Sequence, residues 1–409
     1  MKSFLISGDR SGSGKTSITL GISAALSKTS SVQTYKVAMD YIDTSYLSGV
    51  TGRPSYNLDS YVQSPAEMLG LFSYGSRGAD FGIVEGVRGL YEGGEALSDI
   101  GTTAAVAKRF GLPVVLVVNA RSITRSAAAI VKGFQMFDHD VHIAGIILNN
   151  TGSERHVQKA TDAIEHYCGI PVIGAVPRSA DMELASRHLG LIPFREGFGS
   201  ELFSSRIKTV TEHVADHVNL DALVEIAQDV TPSENEITET LSLRPRKTKR
   251  IGVAYDEAFN FYYSELTSVL ESRGCEVVYF SPIHDALPDC DGYIFGGGYP
   301  ELFARELSEN AAMREDVHSA VNQEIPVYAE CGGLMYLCSS LSIENGWHGA
   351  FGGTYHMCNV FEGKAKMPVR KVLGYVSGIA DVSGRKFNLK GHEFHYSGVD
   401  LKNIIYTYT

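Results

Sequence analysis

The sequence predicts an α/β protein built from two doubly wound parallel-sheet domains, and three observations support this prediction. Short apolar runs typical of buried strands alternate with helical patterns along both halves of the chain. The length of 409 residues fits two or three domains of ordinary size. Apolar residues make up 44% and charged residues 20%, which gives each half enough apolar side chains for a core.

The first half begins with a strand pattern and continues as an alternation of strands and helices. Apolar residues that recur every fourth position predict a helix over 17–26. The other predicted helices are 102–110 and 126–137, and the predicted strands are 4–6, 33–37, 82–84, 113–118 and 143–148.

A change of composition separates the two halves. Acidic residues are frequent over 231–240, and five basic residues fall within 244–250. We therefore expect a first domain over 1–230, a linker over 231–249 and a second domain over 250–409; the alternative is a surface loop within one domain. The predicted strands after the linker are 251–254, 276–280, 292–295 and 326–329.

Charge and cysteine content exclude several classes of protein. The 36 basic and 47 acidic residues give a net charge of −11, which argues against nucleic acid or a membrane surface as a partner. The apolar stretch 112–118 is much shorter than the about 20 residues that span a bilayer. The 6 cysteines form no Cys-x-x-Cys pair, which favours a reducing cytoplasm.

A glycine-rich loop with a lysine and a threonine lies between the first predicted strand and helix. In that position, backbone N–H groups, the helix N-terminus and a lysine neutralise phosphate oxygens, and a threonine hydroxyl can hold Mg²⁺. The predicted nucleotide-binding residues are Gly12, Ser13, Gly14, Lys15 and Thr16. The spacing between Gly8 and Gly14 resembles that of dethiobiotin synthetase and its relatives, which implies ATP-dependent activation of a carboxylate; the alternative is a glycine-rich turn without a nucleotide.

Acidic residues follow two of the predicted strands, close to the expected phosphate site. Glu85 comes directly after Ile83 and Val84 and is a candidate second magnesium contact, or else an ordinary helix-capping acid. Asp40 and Asp43 follow the strand 33–37 and are candidates to position the metal or an incoming nucleophile.

Several stretches together resemble the cobyrinate a,c-diamide synthases and their nickel-sirohydrochlorin counterparts. They are DYID (40–43), TGRPSYNLD (51–59), VEGVRGLYEG (84–93), RHLGL (187–191) and GHEFHYS (391–397). The resemblance implies that ATP and Mg²⁺ activate acetate side chains of a tetrapyrrole as acyl phosphates, and that glutamine supplies the ammonia. It also implies a place in cobalamin biosynthesis or, with nickel, in the synthesis of the methanogenic coenzyme F430.

A cysteine in the second half has the sequence context of a nucleophile. Cys331 follows an apolar strand pattern and precedes two glycines, as a sharp strand-to-helix turn requires. We expect the helix N-terminus to favour the thiolate, and we expect Gly332 and the glycine-rich segment 295–301 to supply oxyanion donors. These features resemble class I glutamine amidotransferases; a buried, inert cysteine is the alternative.

The sequence departs from the family pattern at three places. Ala38 and Met39 stand where the family has Gly-Pro, and Arg88 and Glu92 stand where it has Met and Asp. The family has a late Tyr-x-His element that supplies the base for the cysteine, whereas the last histidine here is His395. His392 or His395 would replace that base or support the substrate cleft, and otherwise the enzyme would use free ammonia.

Several alternatives therefore stay open at this point. A cobyric acid synthase-like amidotransferase is one alternative function, and a decayed nucleotide-dependent binding or regulatory protein is another. The sequence does not choose between a cobalt corrinoid and a nickel sirohydrochlorin. Base rates for soluble proteins favour a homodimer.

Overall fold

A computed structural model of the chain describes residues 1–182, 186–187, 190–192, 194–197, 200–230, 241, 248–382 and 384–401. These residues form two compact units, which are described separately below. The first unit comprises the described parts of Met1–Ala185 and Gly197–Thr238. The second comprises the described parts of Ser186–Glu196 and Glu239–Thr409.

The first unit alternates strands and helices. Its elements up to Pro177 are β1 (Lys2–Gly8), α1 (Lys15–Leu26), β2 (Val32–Val37), α2 (Tyr41–Thr51), β3 (Tyr56–Leu58), α3 (Pro65–Gly75), β4 (Phe81–Gly89), α4 (Thr103–Phe110), β5 (Val114–Asn119), α5 (Arg125–Phe137), β6 (Ile143–Thr151), α6 (Glu154–Cys168) and β7 (Val172–Pro177). There follow a 3₁₀ turn (Ala180–Met182), β8 (Ser186–Arg187), β9 (Gly190–Leu191), α7 (Phe194–Gly197), α8 (Glu201–Ala215), α9 (Leu220–Ile226) and β10 (Gln228–Asp229). The hairpin strands β8 and β9 and residues 194–196 of α7 are grouped with the second unit.

One parallel sheet organises this unit. Its strand order is β3-β2-β4-β1-β5-β6-β7, and β10 pairs antiparallel with β1. The strand register places Lys36 of β2 opposite Glu85 of β4, and Glu85 opposite Ile6 of β1. The carboxyl ends of these three strands therefore meet at one edge of the sheet, which is where open α/β sheets bind ligands.

The core of the first unit lies between this sheet and the helices on it. Ile18 and Ile22 of α1 face Phe4 and Ile6 of β1, and all four side chains are almost fully buried. The apolar residues every fourth position along α1 thus pack the helix that follows the phosphate loop directly against the strand that precedes it.

The second unit is also α/β, with additional antiparallel strands. Its remaining elements are β11 (Lys249–Ala254), β12 (Phe259–Phe261), α10 (Ser264–Ser272), β13 (Cys275–Phe280), β14 (Gly292–Phe295), β15 (Gly297–Gly298), α11 (Ala304–Glu309), α12 (Ala311–Asn322), β16 (Val327–Ala329), α13 (Gly332–Leu337), β17 (Ser340–Ile343), β18 (Gly353–His356), β19 (Lys364–Met367), β20 (Val372–Val382), β21 (Arg385–His395) and β22 (Gly398–Asp400).

Four parallel strands form the central sheet of this unit, in the order β13-β11-β14-β16. A second sheet has the order β18-β17-β19-β22, and β20 and β21 pair as a long antiparallel hairpin. Phe295 of β14, Phe259 and Tyr336 are fully buried and pack on one another.

The two-domain α/β fold predicted from the sequence is confirmed, and each predicted strand and helix overlaps an observed element. The largest difference is at β4, which continues to Gly89 whereas the predicted strand ends at 84. The predicted division between 230 and 250 remains a prediction, because the linker 231–249 falls largely outside the described residues. Residues 188–189 of the RHLGL stretch also lie outside the described residues. No helix of the described residues is long and apolar enough to cross a membrane.

Candidate functional site

The phosphate loop connects β1 to α1 and is shaped by two glycines with positive φ. Gly12 has φ 76° and Gly14 has φ 90°, a region that side chains other than glycine rarely adopt. Gly14 immediately precedes α1 and has no side chain that could cap it, so the first N–H groups of the helix remain available to a ligand. Asn149 fixes the loop from β6, because its Nδ2 donates to the Ser13 carbonyl oxygen at 2.8 Å.

Asn149 was not predicted as a functional residue. A side-chain carbon on Gly14 would overlap its amide, which explains why glycine is needed there beyond its φ value. The available signal was an asparagine pair that follows directly on the apolar strand pattern 143–148.

Three predicted residues meet at the carboxyl edge of the sheet. The Thr16 hydroxyl lies 2.7 Å from Glu85 Oε1 and 3.3 Å from Asp43 Oδ2. Glu85 is fully buried within β4, so it is not the helix-capping acid that the sequence left as an alternative. The strand register explains the meeting, because it places the carboxyl end of β2 beside that of β4.

Lys36 lies at the centre of this cluster and was missed from the sequence. Its ammonium contacts Asp43 Oδ2 at 2.6 Å, Glu85 Oε1 at 2.7 Å and the Gly86 carbonyl oxygen at 3.2 Å. The residue is 1% exposed. A lysine within an otherwise buried strand was the signal, since an unpaired lysine is almost never fully buried.

The ionisation of the cluster follows from burial and from these contacts. Burial opposes the charge of Lys36, but Asp43 and Glu85 outweigh it and raise its pKa above the ordinary value. Burial likewise opposes ionisation of Asp43, but Lys36 outweighs it and holds its pKa below the usual range. Burial raises the pKa of Glu85, and the positive charge of Lys36 only partly offsets this increase. Burial lowers the pKa of Lys15, and the positive charge of Lys36 lowers it further.

Asp40 has a local structural role. Its Oδ1 accepts hydrogen bonds from the backbone N–H groups of Ile42 and Asp43, so it caps the N-terminus of α2. Burial, followed by the charge of Asp43, raises the pKa of Asp40 to about 6. A role for Asp40 in positioning the metal or ammonia remains a prediction.

The donor set of the cluster suits a magnesium ion. Mg²⁺ prefers oxygen ligands and is commonly bound through one or two carboxylates together with substrate phosphates. Glu85 Oε2 is buried and has no hydrogen-bond partner among the described residues, which is what a ligand oxygen awaiting a cation would show. Thr16, Asp43 and Glu85 are the residues that would hold the ion.

The cysteine site of the second unit is a strained turn between β16 and α13. Cys331 has φ 49° and ψ −111°, which is unfavourable for a residue with a side chain. The turn is tightly packed, because the Gly333 N–H donates to the Gly296 carbonyl oxygen at 2.8 Å. A side-chain carbon on Gly333 would overlap the Phe295 carbonyl oxygen. The predicted sharp turn between strand and helix is therefore observed, and the role of Cys331 as a nucleophile remains a prediction.

Two backbone N–H groups reach the sulfur of Cys331. One belongs to Gly332 and the other to Gly298, in the predicted glycine-rich segment. Gly298 has φ 156°, and a side-chain carbon there would overlap the Ala258 carbonyl oxygen. The arrangement is suited to stabilise negative charge on the sulfur, or on an oxygen of a carbon atom bonded to it.

The helix N-terminus favours the thiolate through the Gly332 N–H, as expected, but other effects outweigh it. Burial, followed by the charge of Glu330, raises the pKa of Cys331 to about 12, and Glu301 adds to the increase. The N–H groups of Gly332 and Gly298 act in the opposite direction but are outweighed.

The two candidate base histidines lie on or beside the β20–β21 hairpin. His395 shares a hydrogen bond of 3.0 Å with the Ser397 carbonyl oxygen and lies 3.6 Å from Glu393. His392 stands opposite Tyr375, with ring centroids 6.0 Å apart. Neither is among the groups with the largest effect on the pKa of Cys331, and their role as its base remains a prediction.

A phosphate loop on one parallel sheet and a cysteine elbow on another define a nucleotide-dependent glutamine amidotransferase. Comparison with known proteins agrees with this class. Residues 4–192 match the CobQ/CobB/MinD/ParA nucleotide binding domain family, and residues 250–407 match the CobB/CobQ-like glutamine amidotransferase domain family.

Curated relatives extend the match over nearly the whole chain. Cobyrinate a,c-diamide synthase of Methanosarcina acetivorans is 47% identical over 97% of this chain and 84% of its own length. The enzymes of Methanosarcina barkeri, at 46%, and Methanosphaera stadtmanae, at 42%, cover 97% and 98% of this chain and 84% and 87% of their own lengths. The chain belongs to the cobyrinate a,c-diamide synthase family, and it is a glutamine-dependent amidotransferase ligase.

Proposed function

We propose that this protein uses ATP and Mg²⁺ to amidate the a- and c-acetate carboxylates of a tetrapyrrole, with glutamine or ammonia as the nitrogen source. The assignment of the substrate rests on the similarity, over 97% of the chain, to relatives that are named for this reaction. The meeting of Thr16, Asp43 and Glu85 beside the phosphate loop supports the use of a magnesium nucleotide.

The first unit would activate the carboxylate. A substrate carboxylate oxygen attacks the γ-phosphorus of ATP, the bond to the β-phosphate oxygen breaks, and an acyl phosphate and ADP result. Lys15 and the N–H groups at the start of α1 would neutralise charge on the phosphates. Mg²⁺ would supply further charge neutralisation, held by Thr16, Asp43 and Glu85.

The second unit would release ammonia from glutamine. The sulfur of Cys331 attacks the side-chain amide, and the N–H groups of Gly298 and Gly332 stabilise the oxyanion that forms. The amide nitrogen leaves as ammonia with the thiol proton, and water hydrolyses the thioester to glutamate. Ammonia then attacks the acyl phosphate, which loses phosphate and becomes the amide.

The metal in the tetrapyrrole belongs to the substrate. Among the described residues, no three histidine, cysteine, aspartate or glutamate side chains group as a metal site that would read it. We keep both substrates in the proposal, cobyrinate and nickel-sirohydrochlorin, with roles in cobalamin and F430 biosynthesis respectively. A homodimer in the cytoplasm completes the proposal, and light scattering tests its oligomeric part.

The test incubates the purified protein with ATP, Mg²⁺ and each tetrapyrrole, with amide-labelled glutamine or labelled ammonium as the nitrogen source. Mass spectrometry should show labelled nitrogen in two acetate groups and one ADP per amide. Conversion with ammonium alone would mean that the glutaminase half is inactive. Absence of conversion with either nitrogen source would refute the proposal and favour a nucleotide-binding protein without ligase activity.

A cysteine variant separates the two halves. Cys331→Ser should abolish the use of glutamine and leave the use of ammonium intact. Cys275→Ser is the matched control, because Cys275 is also a partly exposed free cysteine but lies on β13. Glutamine-dependent conversion that survives in Cys331→Ser would show that another residue is the nucleophile.

A further inference from the structure

The ammonium of Lys36 is saturated by the acidic cluster. Its three donors are matched by three acceptors, Asp43 Oδ2, Glu85 Oε1 and the Gly86 carbonyl oxygen. With an exposure of 1%, the side chain has no contact with bulk water that would compete for these bonds. The structure thus contains a resident cation between the two carboxylates that would hold the metal.

Lys36 also fixes the positions of those carboxylates. Two buried carboxylates that lie close together repel each other, and one of them then becomes protonated. The bonds from Lys36 and from the Thr16 hydroxyl converge on Asp43 Oδ2 and Glu85 Oε1, and both oxygens are thereby held in place. The cluster is preorganised before any nucleotide binds.

The charge balance leaves little attraction for a divalent cation on its own. Asp40, Asp43 and Glu85 all interact with both lysines, so Lys36 and Lys15 together offset two of these three carboxylate charges. A divalent ion in contact with the same carboxylates would lie beside a buried positive charge, where repulsion is strong because water is excluded. Nucleotide phosphates carry the negative charge that restores the balance.

We propose that Lys36 is a positioning residue that acts as an internal counter-cation, so that the Thr16–Asp43–Glu85 cluster binds a divalent ion only together with nucleotide phosphates. This inference rests on the proposed magnesium-nucleotide role of the cluster. It assigns Lys36 a function in the order of binding: the metal enters with the nucleotide and does not precede it.

The test measures Mn²⁺ binding without nucleotide, by electron paramagnetic resonance of the free ion at pH 8. The wild-type protein should bind Mn²⁺ only weakly. Lys36→Met, which keeps the length of the side chain and removes its charge, should bind Mn²⁺ alone at least tenfold more tightly. A purely structural role of Lys36 would not produce a gain of binding.

Two variants control for charge. Lys28→Met removes an exposed lysine just after α1 and should leave Mn²⁺ binding unchanged. Lys15→Met removes a positive charge from the same site but leaves Lys36 between the carboxylates, so it should give less than the gain of Lys36→Met. An equal gain in Lys15→Met would overturn the proposal, because net charge alone would then explain the result.

The proposal does not depend on the stability of one variant. Tight binding of Mn²⁺ to the nucleotide-free wild-type protein would overturn it whether or not Lys36→Met folds, which circular dichroism would check. A folded Lys36→Met with wild-type affinity for Mn²⁺ would also overturn it. Binding of ATP with Mn²⁺ to the wild-type protein is measured separately, so that failure of the proposed function is distinguished from failure of this inference.

Discussion

The reactivity of the Cys331 thiol provides the most quantitative prediction. Burial and the nearby carboxylates of Glu330 and Glu301 raise its pKa from 9.0 to about 12. At any pH below 9, the thiolate fraction is therefore about 1000-fold smaller than for an unperturbed thiol, since each pKa unit is a factor of ten. The more basic thiolate is intrinsically about 20-fold more nucleophilic for a Brønsted slope of ~0.4–0.5. Cys331 should therefore react about 50-fold more slowly than an unperturbed thiol.

The assay follows alkylation by iodoacetamide between pH 7 and pH 10. Peptide mapping by mass spectrometry separates Cys331 from the other five cysteines, and a short thiol peptide gives the reference rate. The rate at Cys331 should rise about tenfold for each pH unit over the whole range without a plateau, because the thiolate remains a small fraction throughout. A plateau below pH 9, or a rate equal to that of the peptide, would refute the reasoning.

A second arm of the same experiment tests the cause of the shift. Glu330 is exposed and accepts a hydrogen bond of 2.8 Å from the Tyr328 hydroxyl, so its removal should not disturb the core. Glu330→Gln should speed the alkylation of Cys331, because a negative charge beside the thiol disfavours its ionisation. Glu315→Gln, at an exposed site on α12, is the control and should leave the rate unchanged.

Three further predictions concern stability and are checked by urea denaturation of the purified protein. Ala38 has φ 69°, so Ala38→Gly should stabilise the fold by about 1 kcal/mol, and a loss of stability would contradict the strain argument. Arg53 donates hydrogen bonds to Gln33 Oε1, the Ser31 hydroxyl and two backbone carbonyl oxygens. Arg53→Lys should therefore lower the free energy of unfolding by about 2 kcal/mol. A change within about 0.5 kcal/mol, the usual range for surface substitutions, would show that these bonds are dispensable. Gly333→Ala should cost at least about 3 kcal/mol, because its side-chain carbon would overlap a backbone oxygen. Gly374→Ala is the control, because that glycine has open space around it and no positive φ.

The parts of the site that the sequence predicted are those carried by local patterns. The phosphate loop depends on residues that are neighbours in the chain, and Glu85 was found because it ends an apolar run. Lys36 was missed because its role depends on the strand order, which places β2 beside β4. A lysine at this position in an edge strand would be an ordinary solvated residue.

The net increase in the pKa of the Cys331 thiol was missed for a similar reason. The sequence shows the turn and the helix that follows it, and both favour a thiolate. The opposing effects are burial, the charge of the neighbouring Glu330 and the charge of Glu301, which is distant in sequence. Burial is a property of the folded unit, so no local pattern predicts which of the two effects is larger.

TGRPSYNLD, one of the stretches that resemble the family, supports the site through hydrogen bonds to the backbone. In TGRPSYNLD, Asn57 Nδ2 donates to the carbonyl oxygens of Ala38 and Asp40, at 2.7 and 2.9 Å. The Ala38 N–H in turn donates to the carbonyl oxygen of Leu58, the last residue of β3. These bonds hold the turn between β2 and α2, and α2 carries Asp43 to the cluster. A strained residue such as Ala38 persists only where its surroundings fix the backbone, and here β3 provides that constraint. Loss of the Asn57 amide should therefore displace Asp43 from Lys36 through the backbone of this turn.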